Sequence, residues 1–281
     1  MDGMTDATPT PRRWFVTGAN SGFGLAFVHA ALAAGDEVVA AVRRPETLAE
    51  LAASADGRVT VLELDVSDAA ARRRAVEAAG RVDVLVNNAG FGITGAIEET
   101  AEAELRDAME VMFFGPLDLT RLVLPQMRAR RSGTVVQLTS MGGFLSFPGV
   151  GAYSAAKGAL ELASEALAGE VAPLGIKVLI VEPGAFRTGF ASPTALRTVA
   201  TRIADYDTTS GAVRDDLPAA DGTQEGDPAK AAEAVLEVLT WKEPPLRLVL
   251  GSDAVDAVRA KLAAVGAGLD ATEHLGRAMG A

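Results

Sequence analysis

The stretch WFVTGANSGFG, residues 14–24, decides the fold. An apolar run, WFVT, breaks at Gly18 and gives way to an alanine-rich segment, residues 22–34, that stops at Gly35. Aromatic and β-branched residues in so short a run suit a buried strand, and the segment after it suits a helix. The glycines at 18, 22 and 24 then have separate uses. Gly18 allows a tight turn, Gly22 lets backbone come close to a pyrophosphate, and Gly24 lets helix and strand pack closely. The helix start offers free N–H groups and partial positive charge to phosphate. Thr17, Gly18, Asn20, Ser21, Gly22, Phe23 and Gly24 are therefore expected to cradle a dinucleotide. Three glycines alone could be a structural turn; their place between a first strand and a first helix makes them a binding motif.

The same rhythm continues along the chain. EVVAAV (37–42) reads as a second strand, RVTVLELDV (58–66) contains a third, and VDVLVNNAG (82–90) is a fourth. GTVVQLTS (133–140), IKVLIVEPG (176–184) and LRLVLG (246–251) supply three more. Residues 101–131 and 152–172 read as helices, with Pro116 and Pro125 marking bends or boundaries in the first. Continuous rather than alternating Val/Leu/Ile runs mean strands buried on both faces, and strands alternating with helices mean a parallel sheet. The expectation is an α/β fold, a Rossmann-type doubly wound parallel sheet of about seven strands flanked by helices. It spans residues 13–281 as a single domain, after a disordered lead at 1–12. Residues 189–228, polar and rich in Thr, Asp and Gly, break the rhythm and read as a lid or substrate loop, the alternative being a surface excursion.

Composition removes several function classes. The 281 residues include no cysteine, which excludes disulfides and thiolate catalysis, and only two histidines, His29 and His274, so no metal site is expected. A net charge of −11 argues against nucleic acid and anionic membranes as partners. No apolar run approaches the length of a membrane span, and the first 13 residues lack the apolar core of a signal peptide, so a cytoplasmic enzyme is expected.

The second strand ends AVRRP (41–45), without the carboxylate that would bind a ribose 2′-hydroxyl. Arg43 and Arg44 stand there instead, and two guanidiniums can pair with a phosphate dianion, which favours NADP(H) over NAD(H); the alternative is a solvated arginine pair. Asp65 and Val66, at the end of the third strand, are placed to meet the adenine edge. Asp65 could instead cap the next helix, a role for which Asp68 competes.

Ser140 closes the fifth strand, and GAYSAAKGAL brings Tyr153 and Lys157 four residues apart on one helical face. An ammonium beside a phenol favours the phenolate and is expected to lower its pKa from about 10. Tyr153 could then act as general acid in ketone reduction and base in alcohol oxidation, with Ser140 holding the carbonyl oxygen. Lys157 can also reach the cofactor ribose.

With these residues in place, the chain resembles the short-chain dehydrogenase/reductase family from about residue 13 onward. TGANSGFG (17–24) resembles that family's TGxxxGxG motif and NNAG (87–90) its fourth-strand motif, through which Asn88, Ala89 and Gly90 border the cofactor. Ser140, Tyr153 and Lys157 match the family's catalytic set. PGAFRTGF (183–190) resembles its PG motif, whose Pro183, Gly184, Phe186 and Thr188 would contact the cofactor, Thr188 at the nicotinamide amide. The wording is similar to the retinol and 17β-hydroxysteroid dehydrogenase-like branch. The resemblance implies an NADP(H)-dependent oxidoreductase that interconverts a hydrophobic ketone or aldehyde and its alcohol. It also implies a homodimer or homotetramer formed through the long helices. Met141, Gly142, Phe144, Phe147 and Phe190 are the expected substrate pocket, with Phe91 and Ile93 nearby; several of these could equally be core.

The chain departs from the pattern at Met112, in AMEVMFFGP (108–116), where many relatives carry an asparagine that helps hold a water linking the lysine to solvent. A thioether is a weak acceptor and no donor. Three readings stay open: a working reductase with another proton path, a slower or pH-shifted one, and an NADP(H)-binding sensor or scaffold without turnover. A non-redox epimerase or dehydratase on the same fold is a further alternative.

Overall fold

Phe15 and its neighbours show why the strands read as unbroken apolar runs. Trp14 and Val16 point to one side of the sheet and pack with Phe27, Val38, Ala40 and Val235. Phe15 points to the other and packs with Val39, Leu85, Leu119 and Val135. Such strands therefore read as near-continuous apolar runs. Trp14, Phe15 and Phe27 are wholly buried, each contributing about 1.5–3 kcal/mol of transfer free energy.

A computed structural model describes residues 10–280. The chain enters through β1 (Arg13–Thr17), α1 (Gly22–Ala33), β2 (Glu37–Val42), α2 (Ala49–Ser54), β3 (Val59–Glu63) and α3 (Ala69–Ala79). The middle holds β4 (Val84–Asn87), β5 (Gly92–Thr94), α4 (Glu102–Met109), α5 (Gly115–Arg130), β6 (Gly133–Leu138), α6 (Met141–Phe144) and α7 (Gly151–Val171). It closes with β7 (Ile176–Pro183), β8 (Leu196–Thr198), α8 (Ser210–Ala219), α9 (Pro228–Thr240), β9 (Arg247–Leu250) and α10 (Ser252–Arg277). Seven strands form one parallel sheet in the order β3-β2-β1-β4-β6-β7-β9. Helices α1 and α9 cover one face, and α3, α5 and α7 the other. This is the doubly wound fold expected, and its strand order reverses between β1 and β4, where such sheets open a crevice for ligands.

Three details differ from the sequence reading. Residues 101–131 are not one regular helix: a π-helical turn, Glu110–Phe114, separates α4 from α5. Pro116 explains it, because it has no N–H to donate to the carbonyl four residues back, that of Met112, and its ring crowds that carbonyl. Pro125 lies inside α5 without ending it. The 189–228 excursion is more ordered than a bare loop. It contains β8, which pairs with β5, and helix α8, and Glu99 pins it to the segment after β5. The buried Glu99 carboxylate accepts from the amides of Ala96 and Ile203, both 2.8 Å, and from Arg214 at 2.6 Å. At the chain start, residues 1–9 of the expected lead lie outside the described residues. Arg12, expected within that lead, is held by Asp36 through both backbone and guanidinium, each at 2.9 Å.

Candidate active site

The carboxyl ends of β1, β2, β3, β4, β6 and β7 surround one cleft of about 580 Å³, a size suited to a cofactor plus a small substrate. Gly18 and Gly22 have φ of +63° and +50°, left-handed values that side chains disfavour. A Cβ on Gly24 would lie 2.1 Å from the Gly18 carbonyl oxygen, and one on Gly22 would lie 2.9 Å from Thr188. Gly24 is thus the close-packing glycine, while Gly22 meets the PG segment. Thr17 works beneath the turn: its hydroxyl accepts from the amides of Asn88 and Ala89, at 2.9 and 3.0 Å. The Asn88 side-chain carboxamide donates back to the Thr17 carbonyl at 2.8 Å. Neighbouring Asn87, fully buried, donates to Gln137, Thr120 and the Pro116 carbonyl, tying β4 to β6 and α5.

Ser21, the residue before α1, makes no side-chain cap to the helix. The first turn of α1 therefore turns uncapped N–H groups toward the cleft, beside Asn20, Ser21, Gly22 and Phe23 on its wall. Such a helix start suits a phosphate by geometry and by dipole. Arg43 and Arg44 line the same cleft, both exposed, and neither makes an ion pair among the described residues. Asp65 and Val66 line it too. The helix-capping alternative for Asp65 fails: Asp68 caps α3, accepting from the amides of Ala70 and Ala71. Asp65 instead accepts from Ser67, whose hydroxyl and amide hold its carboxyl below the usual range. These residues fit a dinucleotide.

At the other end of the cleft Ser140, Tyr153 and Lys157 come together. Ser140 leaves β6 and caps α6, its hydroxyl accepting from the Gly142 amide at 3.0 Å. Lys157, buried, donates to the Leu138 carbonyl at 2.8 Å, and its ammonium lies 5.9 Å from the Tyr153 ring centre. The expected lowering of the Tyr153 pKa does not appear: burial pushes the phenol up to about 12, Ser140 offsetting part of the rise. Burial also pulls Lys157 down to about 8, against the opposing charge of Glu161. With its ammonium committed to the Leu138 carbonyl, Lys157 does not outweigh desolvation at the phenol.

Met112 is wholly buried among Phe91, Ile93, Ala108, Ala152, Ala156 and Val199. A Cβ on Gly90 would sit 3.5 Å from its Cγ and 3.6 Å from both its sulfur and the Lys157 nitrogen. Gly90 thus stands against both the thioether and the Lys157 ammonium, while Met112 itself packs as core.

Met141, Gly142, Phe147 and Phe190 line the cleft as expected, with Phe91 and Ile93. Phe190 lies edge-on to Tyr153, centroids 5.5 Å apart. Phe144 is a correction: it does not line the cleft, and its ring faces the Arg247 guanidinium at 5.9 Å. It sits on the far side of the short α6 from the cleft, a direction the sequence did not show. Pro183, Gly184, Phe186 and Thr188 line the cleft, Phe186 packing on Phe23 at 5.1 Å. Sequence reasoning missed Thr194, Leu196 and Arg197, which β8 brings to the rim; Arg197 lies 3.7 Å over the Phe91 ring. No described group of His, Asp and Glu could hold a metal ion.

Residues 12–197 match the short chain dehydrogenase family. A 3-ketodihydrosphingosine reductase from Bacteroides thetaiotaomicron is 36% identical over 247 residues, 86% of this chain and 88% of that one. A short-chain dehydrogenase crystal structure from Streptomyces avermitilis is 48% identical, with a TM-score of 0.91 over 97% of this chain and 100% of that one. A short-chain dehydrogenase/reductase from Burkholderia phymatum, crystallised with NAD, is 25% identical with a TM-score of 0.78 over 89% and 92% of the two chains. The chain belongs to the short-chain dehydrogenase family of oxidoreductases.

Proposed function

We propose that this chain is an NADP(H)-dependent reductase that converts a hydrophobic ketone or aldehyde to its alcohol. The observation that carries the reading is the meeting of Ser140, Tyr153 and Lys157 in the same cleft as the uncapped glycine turn. Bound there, a nicotinamide supplies or accepts the hydride. The α1 N-terminus would hold its phosphates, and Arg43 and Arg44 would pair with a 2′-phosphate. The NAD held by the Burkholderia phymatum relative supports a nicotinamide cofactor, and the absence of a carboxylate at the end of β2 supports NADP(H).

Ser140 holds the carbonyl oxygen and Tyr153 gives it a proton, while the Lys157 ammonium stabilises the phenolate left behind. A phenol pushed up to about 12 is protonated throughout the neutral range, the form that can give a proton to a carbonyl oxygen. The apolar wall of Phe91, Ile93, Phe147, Phe190 and Leu196 supports an apolar substrate. The relative named for reducing 3-ketodihydrosphingosine, a long-chain ketone, points the same way. Residues 189–228 act as the substrate lid. Leu105 and Phe114, exposed on the α4–α5 helix, support a homo-oligomer. No described helix is long and apolar enough to cross a membrane, and we retain a cytoplasmic location as part of this reading.

The test is NADPH consumption with product detection over a panel of hydrophobic ketones and aldehydes, Tyr153→Phe serving as blank. Turnover lost in Tyr153→Phe supports the reductase. Product without net NADPH consumption would replace it with epimerase or dehydratase chemistry, and tight NADPH binding with no product would make the chain a sensor.

A further inference from the structure

Behind Lys157 lies a group of buried charges that the reaction as described does not use. Glu161 follows Lys157 by four residues and so shares its face of α7. Glu161 is 3% exposed and Glu182, on β7, is fully buried. Arg247 of β9 lies between them, its Nε 3.1 Å from Glu182 and 3.7 Å from Glu161. Its Nη2 is already engaged by Glu165, at 2.7 Å. The contacts to the buried pair are poorly aligned: both oxygens of Glu182, one of Glu161 and the Arg247 Nε have no hydrogen-bond partner.

Two enclosed carboxylates share one guanidinium that is partly committed elsewhere. Full ionisation of both is costly, so they titrate as a pair. Burial raises both, Glu182 to about 7 with the Glu161 charge adding to the rise and Arg247 opposing it. The other groups facing the pair are the Lys157 ammonium on the same helix and the Thr139 hydroxyl of the β6 end, which lowers Glu161. Helix α6 contributes no charge; it closes over the pair with glycine. A Cβ on Gly143 would lie 2.3 Å from Glu161 Oε1, and one on adjacent Gly142 would lie 3.2 Å from the Tyr153 ring. The same short helix thus covers both the catalytic phenol and the acid pair.

We propose that Glu161, held by Arg247 in a coupled acid pair with Glu182, keeps Lys157 in its ammonium form and so sets the pH range of the Tyr153–Lys157 chemistry. Glu161 is a positioning residue on this account, acting through Lys157 without touching substrate. The proposal rests on the reductase reading for its consequence in turnover. It also locates control of the lysine charge in α7, β7 and β9, away from the helix that carries Met112.

The sign follows from electrostatics. A negative charge near an ammonium raises its pKa, so neutralising Glu161 makes Lys157 lose its proton at lower pH. The chain's lysines are Lys157, Lys177, Lys230, Lys242 and Lys261, few enough to follow separately. In protein labelled with 13C at lysine Cε, NMR titration of wild type and Glu161→Gln should show the Lys157 midpoint about one pH unit lower in the variant. The alkaline limb of kcat/KM for ketone reduction should move down with it. Glu161→Asp, which keeps the charge, should return both most of the way. Glu182→Gln, which leaves Glu161 as the sole buried partner of Arg247, should not lower the Lys157 midpoint. If Glu161→Gln does not fold, Glu161→Met, which removes the charge without enclosing an amide, takes its place with the same expected fall; a Lys157 midpoint that falls as far in Glu182→Gln as in the Glu161 variant overturns the proposal. So does a Glu161→Gln protein whose Lys157 midpoint stays in place, or whose activity falls equally at every pH. The NMR arm needs no turnover. A wild type silent on every ketone would sink the reductase reading and leave the charge coupling measurable.

Discussion

Replacing Met112 separates packing from chemistry at the position where the family resemblance implies an asparagine. Met112 is fully buried in a small apolar cluster beside Lys157. Met112→Leu keeps volume and polarity, so its cost stays below about 1.5 kcal/mol. Met112→Asn removes a buried apolar side chain, about 1.5–3 kcal/mol, and encloses a carboxamide, about 1–3 kcal/mol more where unpaired. A net loss of about 2.5–6 kcal/mol corresponds to a melting temperature lower by about 5–24 °C for a chain of this size. If the carboxamide oxygen accepts from the Lys157 ammonium, about 1.5–3 kcal/mol returns and the drop falls toward the lower end. The assay is thermal melting alongside initial rates of NADPH-dependent ketone reduction. The π-helical turn and Pro116 shape the backbone here whatever side chain stands at 112, so proton supply should not need a carboxamide. Met112→Leu should hold the wild-type rate within about twofold, and Met112→Asn should melt lower without turning over faster. A gain of about tenfold or more in kcat for Met112→Asn, about 1.4 kcal/mol off the barrier, would refute this reasoning and show that the natural chain lacks a working relay.

Changing Arg43 and Arg44 together to alanine should raise the KM for NADPH by about 10–100-fold while leaving that for NADH nearly unchanged, since only the 2′-phosphate distinguishes them; steady-state kinetics with both cofactors checks it. Gly24→Ala places a Cβ 2.1 Å from the Gly18 carbonyl. The forced shift should cost about 1–3 kcal/mol and weaken NADPH binding by calorimetry, whereas Gly169→Ala, with open space around it, should do neither. Glu99 is held down to about 2 from an ordinary 4.5 by the Ile203 and Ala96 amides and Arg214. A lowered folded-state pKa means its stabilisation is complete above about pH 4.5 and lost as pH falls toward about 2. Acid unfolding of Glu99→Gln should therefore show a shallower pH dependence than wild type across that window.

The strands were legible because burial on both faces leaves no polar position in a run such as WFV or VLIV. The end of the fourth was read too long, at 82–90 against Val84–Asn87, because the residues after it are small where they line the cleft. The glycine turn and Ser140, Tyr153 and Lys157 were legible because each has a fixed local spacing. The π-helical turn was not, since it is a change of hydrogen-bond register that Pro116 only hints at. Phe144 misled because a four-residue helix has no periodicity from which to read a face. The Glu161–Glu182–Arg247 group was invisible for a different reason: its members lie on three elements that only the β6-β7-β9 order brings together. Helix α10, whose residues beyond Val258 are largely exposed, carried too little apolar pattern to be assigned.

The most direct test of the central claim is deuteride transfer. Wild type and Tyr153→Phe are incubated with NADPH deuterated at the transferable position of the nicotinamide and a long-chain ketone, and the alcohol is weighed by mass spectrometry. The account predicts an alcohol one mass unit heavier from the wild type and none from Tyr153→Phe, which still binds NADPH. A product without deuterium, or bound NADPH that never transfers it, would contradict the assignment of this cleft as a reductase site.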